Sequence, residues 1–166
     1  MNKNTLLLLF LSIIFVNIQA QKSKLYIGGI AHIGNGEKIS NSIISIKDGK
    51  FDVVGDANKI RIDPNAFDTI LKIYGKHIYP AFIAPNTKLG ITEIDQIRAS
   101  HDYNEVGEFN PNVRSLIAFN TDSKIIKTVR TNGVLITQTT PRGGIISGSS
   151  SIMYLDGLNW EDATLK

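Results

Sequence analysis

The chain has 166 residues, no cysteine, 42% hydrophobic residues and a formal net charge of +3. This is the length of one ordinary domain, or of a small domain plus part of another, and it is too short for a complete (β/α)₈ barrel of roughly 250 residues. The absence of cysteine excludes disulfides, thiolate metal sites and a cysteine nucleophile. The charges are mixed in sign, so the composition gives no support for nucleic-acid binding.

Residues 1–20 have the pattern of a secretory signal peptide. Lys3 provides a positive start, an apolar run follows from Leu6 to Val16, and Ala20 is a small residue at a plausible cleavage point. The apolar run is shorter than the ~20 residues that cross a membrane. We therefore expect an exported protein, periplasmic or secreted, without a stable membrane span after cleavage. An uncleaved N-terminal anchor is the alternative.

The next segment, residues 21–76, predicts short strands with tight turns. A first strand begins at Leu25, two β-prone runs flank Asp48-Gly49, and another strand is predicted at 69–73. An Asp-Gly pair between such runs indicates a hairpin, because a type I′ turn requires positive φ at both central residues.

The remaining segment, residues 77–166, predicts α/β structure. The apolar run at 78–84 suits a strand buried on both faces, although Pro80 interrupts it. With a later strand and the helices between, it forms a β-α-β crossover. The other predicted elements are a helix from Thr92, a short helix with Val113, Leu116 and Ile117, a helix capped by Asp122 or Ser123 and ended by Gly133, strands at 134–139 and 152–155, and a helix capped by Asn159. A helix that starts so near Lys166 is typical of a truncated chain or of a chain that continues.

Four stretches together indicate a family. The phrase from Gly75 to Pro85 resembles the first barrel strand of the amidohydrolase superfamily, in its imidazolonepropionase-like, exported branch. Members of this branch are also similar around Lys47-Asp48-Gly49-Lys50, at 102–114 and at 141–151. The resemblance implies an α/β fold, with a partial β-sandwich over 21–76 and the first strands and helices of an incomplete TIM-like (β/α)₈ barrel over 77–166.

The resemblance also implies a function. The family consists of metal-dependent hydrolases, so the parent protein is expected to use a zinc-like divalent metal and to cleave carbon–nitrogen bonds. The substrate class is a small molecule with a non-peptide or cyclic amide, or a peptide. A non-catalytic, exported binding module derived from the same fold is the alternative function.

The metal motif of the family is altered in this chain. The first barrel strand of the family usually ends in His-x-His, where two imidazoles point the same way and hold one metal. Asn86 and Lys88 stand at those positions. A charged ammonium has no lone pair for a metal, and an amide oxygen is a weak zinc ligand. We expect no metal at this strand, by loss of the site or by its reuse for an anion, and we expect the isolated fragment to be inactive.

A glycine- and serine-rich run follows the strand at 134–139. Such a run can present backbone N–H groups to an anion or a carbonyl oxygen. It is neither a P-loop nor a nucleophile elbow, and a flexible loop is the alternative interpretation. Its arginine suits a carboxylate or, alternatively, a surface salt bridge. The candidate substrate-binding residues are Arg142, Gly143, Gly144, Ser147, Gly148 and Ser149.

The other polar residues predict ordinary structural roles. The three histidines, His32, His77 and His101, are not at metal-ligand spacing in the sequence. We expect the carboxylates to lie on solvated faces, namely Glu93, Asp95, Glu105 and Glu108. No catalytic residue and no oligomeric state follow from the sequence.

Overall fold

The computed structural model describes residues 23–165. The predicted signal peptide lies outside the described residues. The chain divides into two compact units between Pro80 and Ala81, whereas the sequence predicted a boundary after Lys76. Within the described residues, no helix is long and apolar enough to span a membrane.

The first unit contains a mixed sheet of five strands built around β1 (Ser23–His32). β1 pairs antiparallel with β2 (Lys38–Lys47), which pairs antiparallel with β3 (Lys50–Asp56). On its other side β1 pairs in parallel with β4 (Thr69–Lys72) and, further along, with β5 (His77–Ile78). The described residues of this unit confirm the β-rich segment and form one sheet, so the partial β-sandwich stays a prediction.

The predicted hairpin in this sheet is confirmed. Asp48 and Gly49 join β2 to β3 with φ of 50° and 73°, as an Asp-Gly turn requires. Leu25 of β1 is fully buried, and Ile43 and Ile44 of β2 are only 6% exposed. A short turn therefore sets the register of β3 against β2, the strand that carries Ile43 and Ile44.

The second unit contains a β-α-β crossover followed by an antiparallel strand. β6 (Phe82–Thr87) pairs in parallel with β7 (Val134–Thr139), and β8 (Ser151–Tyr154) pairs antiparallel with β7. Helix α1 (Lys124–Thr131) lies between β6 and β7 in the chain, and helix α2 (Trp160–Ala163) follows β8. The mixed α/β class and the crossover are confirmed, whereas the TIM-like barrel stays a prediction.

Local capping explains both helices of this unit. The Ser123 side chain accepts a hydrogen bond from the Ile125 N–H, and Gly133, with φ of 87°, follows the end of α1. The Asn159 side chain accepts from the Asp162 N–H at the start of α2. The helices pack on the strands around a buried apolar cluster of Phe119, Ile126, Met153, Leu155 and Ala163.

The prediction of a single strand over 78–84 is wrong. β5 ends at Ile78 and pairs with β1, whereas β6 begins at Phe82 and pairs with β7. Pro80 lies between them and has no N–H to donate to a ladder. The apolar run is therefore divided between the two units.

The helix predicted from Thr92 is also wrong. Residues 94–101 form successive turns, including a 3₁₀ turn at Arg98–Ser100, and Ser100 hydrogen-bonds the Ile94 backbone in place of a helical partner. Ile94 and Ile97 are about half exposed, so no buried face supports a helix here. The short helix predicted near 113–117 is a 3₁₀ turn at Ser115–Ala118.

Candidate functional site

The candidate site lies where β6 and β7 end. Because the two strands are parallel, their carboxyl ends meet at one edge of the sheet, which is where ligands bind in open α/β sheets. Thr87 pairs with Thr139, and the Thr140 N–H donates to the Thr87 carbonyl over 2.9 Å. Residues 86–88 and 138–142 are therefore neighbours, and we call them the carboxyl edge.

Asn86 and Arg142 form the first contact of the carboxyl edge. Arg142 Nη2 donates to the Asn86 backbone oxygen over 2.9 Å and to Asn86 Oδ1 over 3.1 Å. The Asn86 N–H donates to Gln138 Oε1 over 3.3 Å. Asn86 has φ of 53°, a left-handed conformation that asparagine adopts more readily than most residues. The amide oxygen at the first family metal position thus accepts from a cation.

Lys88, at the second position of the family's His-x-His motif, has two partners. Its Nζ lies 2.7 Å from Asp95 Oδ1 and 4.7 Å from the centroid of the Tyr103 ring. The hydrogen bond from Lys88, followed by its positive charge, lowers the pKa of the Asp95 carboxyl. Asp95 is exposed, as predicted for a solvated face, but it also forms an ion pair with Lys88 that the sequence did not predict.

A histidine and a tyrosine support this ion pair. His101 Nε2 hydrogen-bonds the Asp95 backbone oxygen over 2.9 Å, and the Tyr103 hydroxyl lies 3.3 Å from His101 Nδ1. The Tyr103 carbonyl also accepts from the Arg142 N–H over 2.7 Å. Tyr103 therefore contacts two residues of the carboxyl edge, the Lys88 ammonium through its ring and the Arg142 backbone N–H through its carbonyl.

The carboxyl edge does not fit the divalent metal that the family resemblance implies. The Asn86 oxygen already binds a guanidinium, and the Lys88 ammonium places positive charge where a metal ion would lie. Across residues 23–165, no cluster of three or more His, Asp or Glu side chains has a metal-binding arrangement. The residues present favour an anion over a cation.

The glycine- and serine-rich run lies against residues 103–113. The N–H groups of Ile145 and Ile146 both donate to the Glu108 carbonyl over 2.8 Å, and the Ser149 N–H donates to the Val113 carbonyl over 2.8 Å. The Ser147 hydroxyl donates to the Gly143 carbonyl within the run. The run is thus tied to a neighbouring segment by backbone hydrogen bonds.

Two glycines allow this close approach. A Cβ on Gly144 would lie 2.7 Å from the Glu108 carbonyl oxygen, and a Cβ on Gly148 would lie 2.6 Å from that of Val113. Both residues have positive φ, 61° and 119°, which costs energy for a residue with a side chain. These glycines have a packing role that the sequence did not predict.

The candidate residues occupy two parts of the second unit. Arg142 lies at the carboxyl edge beside Asn86, while Gly143, Gly144, Ser147, Gly148 and Ser149 continue into the run tied to 103–113. The role of Tyr103 was missed. Tyr103 lies in the stretch 102–114 that resembles the family, but no local pattern in the sequence indicates that its ring contacts Lys88.

The structure also places two histidines together in the first unit, which the sequence did not predict. His32 Nε2 lies 2.9 Å from His77 Nδ1, although the residues are 45 positions apart. The parallel pairing of β1 with β5 brings them together. That pairing involves only two residues of β5, a segment too short for a periodic pattern in the sequence to predict it.

Comparison with solved structures identifies the fold. The chain is similar to an amidohydrolase from Thermotoga maritima MSB8, with a TM-score of 0.76 and 21% identity over 86% of this chain and 36% of that chain. The chain thus spans about a third of that protein's length. Ochratoxinase from A. niger also matches, with a TM-score of 0.38 and 18% identity over 47% of this chain and 18% of that chain.

Comparison of the sequence adds no closer relationship. No family model and no curated protein matches the chain. The structural likeness to the Thermotoga protein comes with only 21% sequence identity, so it shows a shared fold and nothing about activity. The described part of the chain has an amidohydrolase-like fold.

Proposed function

We propose that the chain is the N-terminal part of an exported amidohydrolase-like protein of the imidazolonepropionase-like branch. The observation that carries the proposal is the fold likeness, which covers 86% of this chain but 36% of the Thermotoga amidohydrolase. The phrase from Gly75 to Pro85 and the signal-like residues 1–20 support the branch and the export. The whole protein then hydrolyses carbon–nitrogen bonds in a non-peptide or cyclic amide, or in a peptide.

In this proposal the 166-residue chain is inactive by itself. Hydrolases of this kind use a metal ion to polarise the scissile carbonyl. The strand end at which the family holds a metal here has Asn86 bound to Arg142, and Lys88 bound to Asp95. The residues needed for metal-assisted hydrolysis therefore have to come from a continuation of the chain.

Amide hydrolysis by the purified chain tests this part of the proposal. We expect turnover of N-acetylated and cyclic amides with added Zn²⁺ to equal that of the Lys88→Ala and Asn86→Ala variants and of a protein-free control. Zinc-dependent turnover that these substitutions abolish would show that the carboxyl edge is catalytic. Export is tested separately by the N-terminus of the mature chain. We expect the chain to begin at Gln21 after cleavage of the signal peptide.

A second candidate function is non-catalytic binding of an anionic group at the carboxyl edge. Arg142 and Lys88 place two positive charges there, and Asp95 balances one of them through its ion pair with Lys88. Arg142 is exposed and uses Nη2 for Asn86, while its guanidinium has five N–H donors in total. The remaining donors suit a carboxylate, which arginine binds with two parallel hydrogen bonds.

A carboxylate titration tests the second candidate. N-acetylglycinate is the probe, since it carries both a carboxylate and an amide, and ¹⁵N chemical shifts report where it binds. We expect perturbed resonances at residues 86–88 and 138–142, loss of binding in Arg142→Ala, and weaker binding in Arg142→Lys, which keeps the charge but lacks the fork.

Arg130→Ala is the matched control for this titration. Arg130 lies on α1 and pairs with Asp156, so its removal leaves the carboxyl edge intact. Equal binding by Arg142→Ala and the unsubstituted chain would contradict the second candidate. The nucleotide sequence after the Lys166 codon separates the two functions, since later strands that carry His and Asp favour the hydrolase.

A further inference from the structure

We propose that His32 and His77 form a binding site for a divalent transition-metal ion in the first unit. The site uses residues of β1 and β5 and none of the carboxyl edge. It rests on the positions of two imidazoles and not on the function proposed above.

Sheet register places the two imidazoles side by side. β1 and β5 run in parallel, with Ile30 opposite His77 and Ala31 opposite Ile78. Side chains alternate between the two faces of a sheet, so His32 projects on the same face as His77. The Ile30 N–H donates to the Lys76 carbonyl over 2.9 Å, which holds the start of β5 against β1.

A third ring limits the motion of the pair. Tyr79 stacks on His32 with ring centroids 4.3 Å apart and planes at 12°. The ring centroids of His32 and His77 are 5.2 Å apart. Stacking restricts the rotation of the His32 ring and so lowers the entropy lost when an ion binds. Tyr79 is 60% exposed and His77 is also exposed, so an ion reaches the pair from solvent.

The distance between the two nitrogens fits metal coordination. His32 Nε2 and His77 Nδ1 are 2.9 Å apart. Two metal–nitrogen bonds of about 2.0–2.1 Å that meet at roughly 90–109° span about 2.9–3.4 Å between their nitrogens. An ion therefore needs little change in the separation of the rings, although the rings must turn so that both lone pairs point at it.

Binding replaces a hydrogen bond with two coordinate bonds. In the metal-free pair one ring donates its N–H to the lone pair of the other ring. When the ion binds, the donor ring carries its N–H on the other nitrogen, so that each ring presents one lone pair to the ion. His32 then ligates through Nε2 and His77 through Nδ1, which are distinct ring positions.

The ligand set defines the class of ion. Imidazole nitrogen suits Zn²⁺, Ni²⁺ and Cu²⁺, and affinity for such sites is greatest for Cu²⁺. Across residues 23–165 no third His, Asp or Glu completes the set, so water fills the remaining positions. The site therefore has open, exchangeable coordination positions.

Calorimetry with Ni²⁺ tests the site on the full chain, purified without a polyhistidine tag. We expect one ion per chain, and a loss of affinity of about tenfold or more in His32→Ala and in His77→Ala. His101→Ala is the matched control, because it removes the third histidine of the chain, which lies in the second unit. Circular dichroism checks that each variant keeps its sheet content.

Two results would overturn the proposal. One is unchanged Ni²⁺ affinity in the double variant His32→Ala/His77→Ala, and the other is a loss of binding in His101→Ala. Electron paramagnetic resonance of Cu²⁺ bound to the unsubstituted chain provides a test that needs no folded variant. We expect hyperfine coupling to two nitrogens, and a spectrum without nitrogen coupling would reject the site.

Discussion

The two units differ in how their neighbouring strands are brought together. In the first unit, β2 and β3 are joined by Asp48 and Gly49 alone. In the second unit, the paired strands β6 and β7 are separated along the chain by residues 88–133. The hairpin register follows from a turn, whereas the register of the parallel pair depends on contacts between distant segments.

The candidate sites lie at long-range pairings in both units. The carboxyl edge is assembled from segments about fifty residues apart, as the bonds of Asn86 with Gln138 and with Arg142 show. The histidine pair of the first unit arises from β5, a strand that is also distant from its partner. In both units the proposed sites lie at long-range parallel pairings, and neither site uses a residue of the local hairpin.

The largest expected effect comes from the apolar cluster of the second unit. Leu155 is 1% exposed, so Leu155→Ala should lower the free energy of unfolding by about 2–5 kcal/mol through lost burial and a residual cavity. Trp160, the single tryptophan of the chain, packs against this cluster. Its fluorescence during urea unfolding therefore reports on the second unit.

Leu158→Ala is the control for this measurement. Leu158 is 92% exposed, and we expect a change within about 0.5 kcal/mol. A similar loss in both variants would mean that the described cluster does not stabilise the unit.

The next effect concerns the glycine run beside the carboxyl edge. Gly148→Ala places a Cβ 2.6 Å from the Val113 carbonyl oxygen at a positive φ, and should destabilise the second unit by about 2–3 kcal/mol. Gly107 also has positive φ, but its nearest neighbour would lie 3.7 Å away. Gly107→Ala should therefore cost only about 1 kcal/mol.

The difference between the two glycine variants isolates the contact with Val113. Urea unfolding followed by Trp160 fluorescence measures both on the same scale. Equal costs would indicate that the run does not lie tightly against residues 103–113.

A smaller effect is expected at the one long helix of the described chain. Ser123→Ala removes the side-chain acceptor for the Ile125 N–H and should cost about 1 kcal/mol. The Ser123 hydroxyl also donates to Glu93 Oε2 over 2.9 Å, so Ser123→Thr should retain most of the stability. Loss of stability in the threonine variant equal to that in the alanine variant would contradict a capping role.

The smallest effect is a pH dependence of the first unit. Asp68 accepts from the Ser23 N–H and hydroxyl, and these bonds lower its pKa below the ordinary 3.8. Because the folded pKa is the lower one, the stabilisation is present above the ordinary pKa and is lost as pH falls through the folded pKa. Urea midpoints measured by circular dichroism at pH 6 and pH 3 check this.

Asp68→Asn should reduce the difference between those two midpoints. The variant keeps an acceptor oxygen but cannot be protonated in this range. Asp52, whose pKa is also lowered by Lys47 and Ser45, should leave a residual pH dependence. A variant with the full dependence of the unsubstituted chain would exclude Asp68 as a source of it.

The sequence by itself determined the elements with strong local signals. The Asp48-Gly49 turn, the Ser123 cap, the Gly133 stop and the Asn159 cap all occur as predicted. Each depends on hydrogen bonds or backbone angles within a few residues, so it can be read directly. The expectation that Lys88 and Asn86 do not suit a metal rests on side-chain chemistry and stays a prediction.

Only the tertiary structure decided which distant residues meet. It divided the apolar run at Pro80, replaced the helix predicted from Thr92 with turns, and paired Lys88 with Asp95. It also joined Arg142 to Asn86 and His32 to His77. These outcomes depend on the register of parallel strands and on the burial of whole faces, and neither quantity is encoded in any short stretch of sequence.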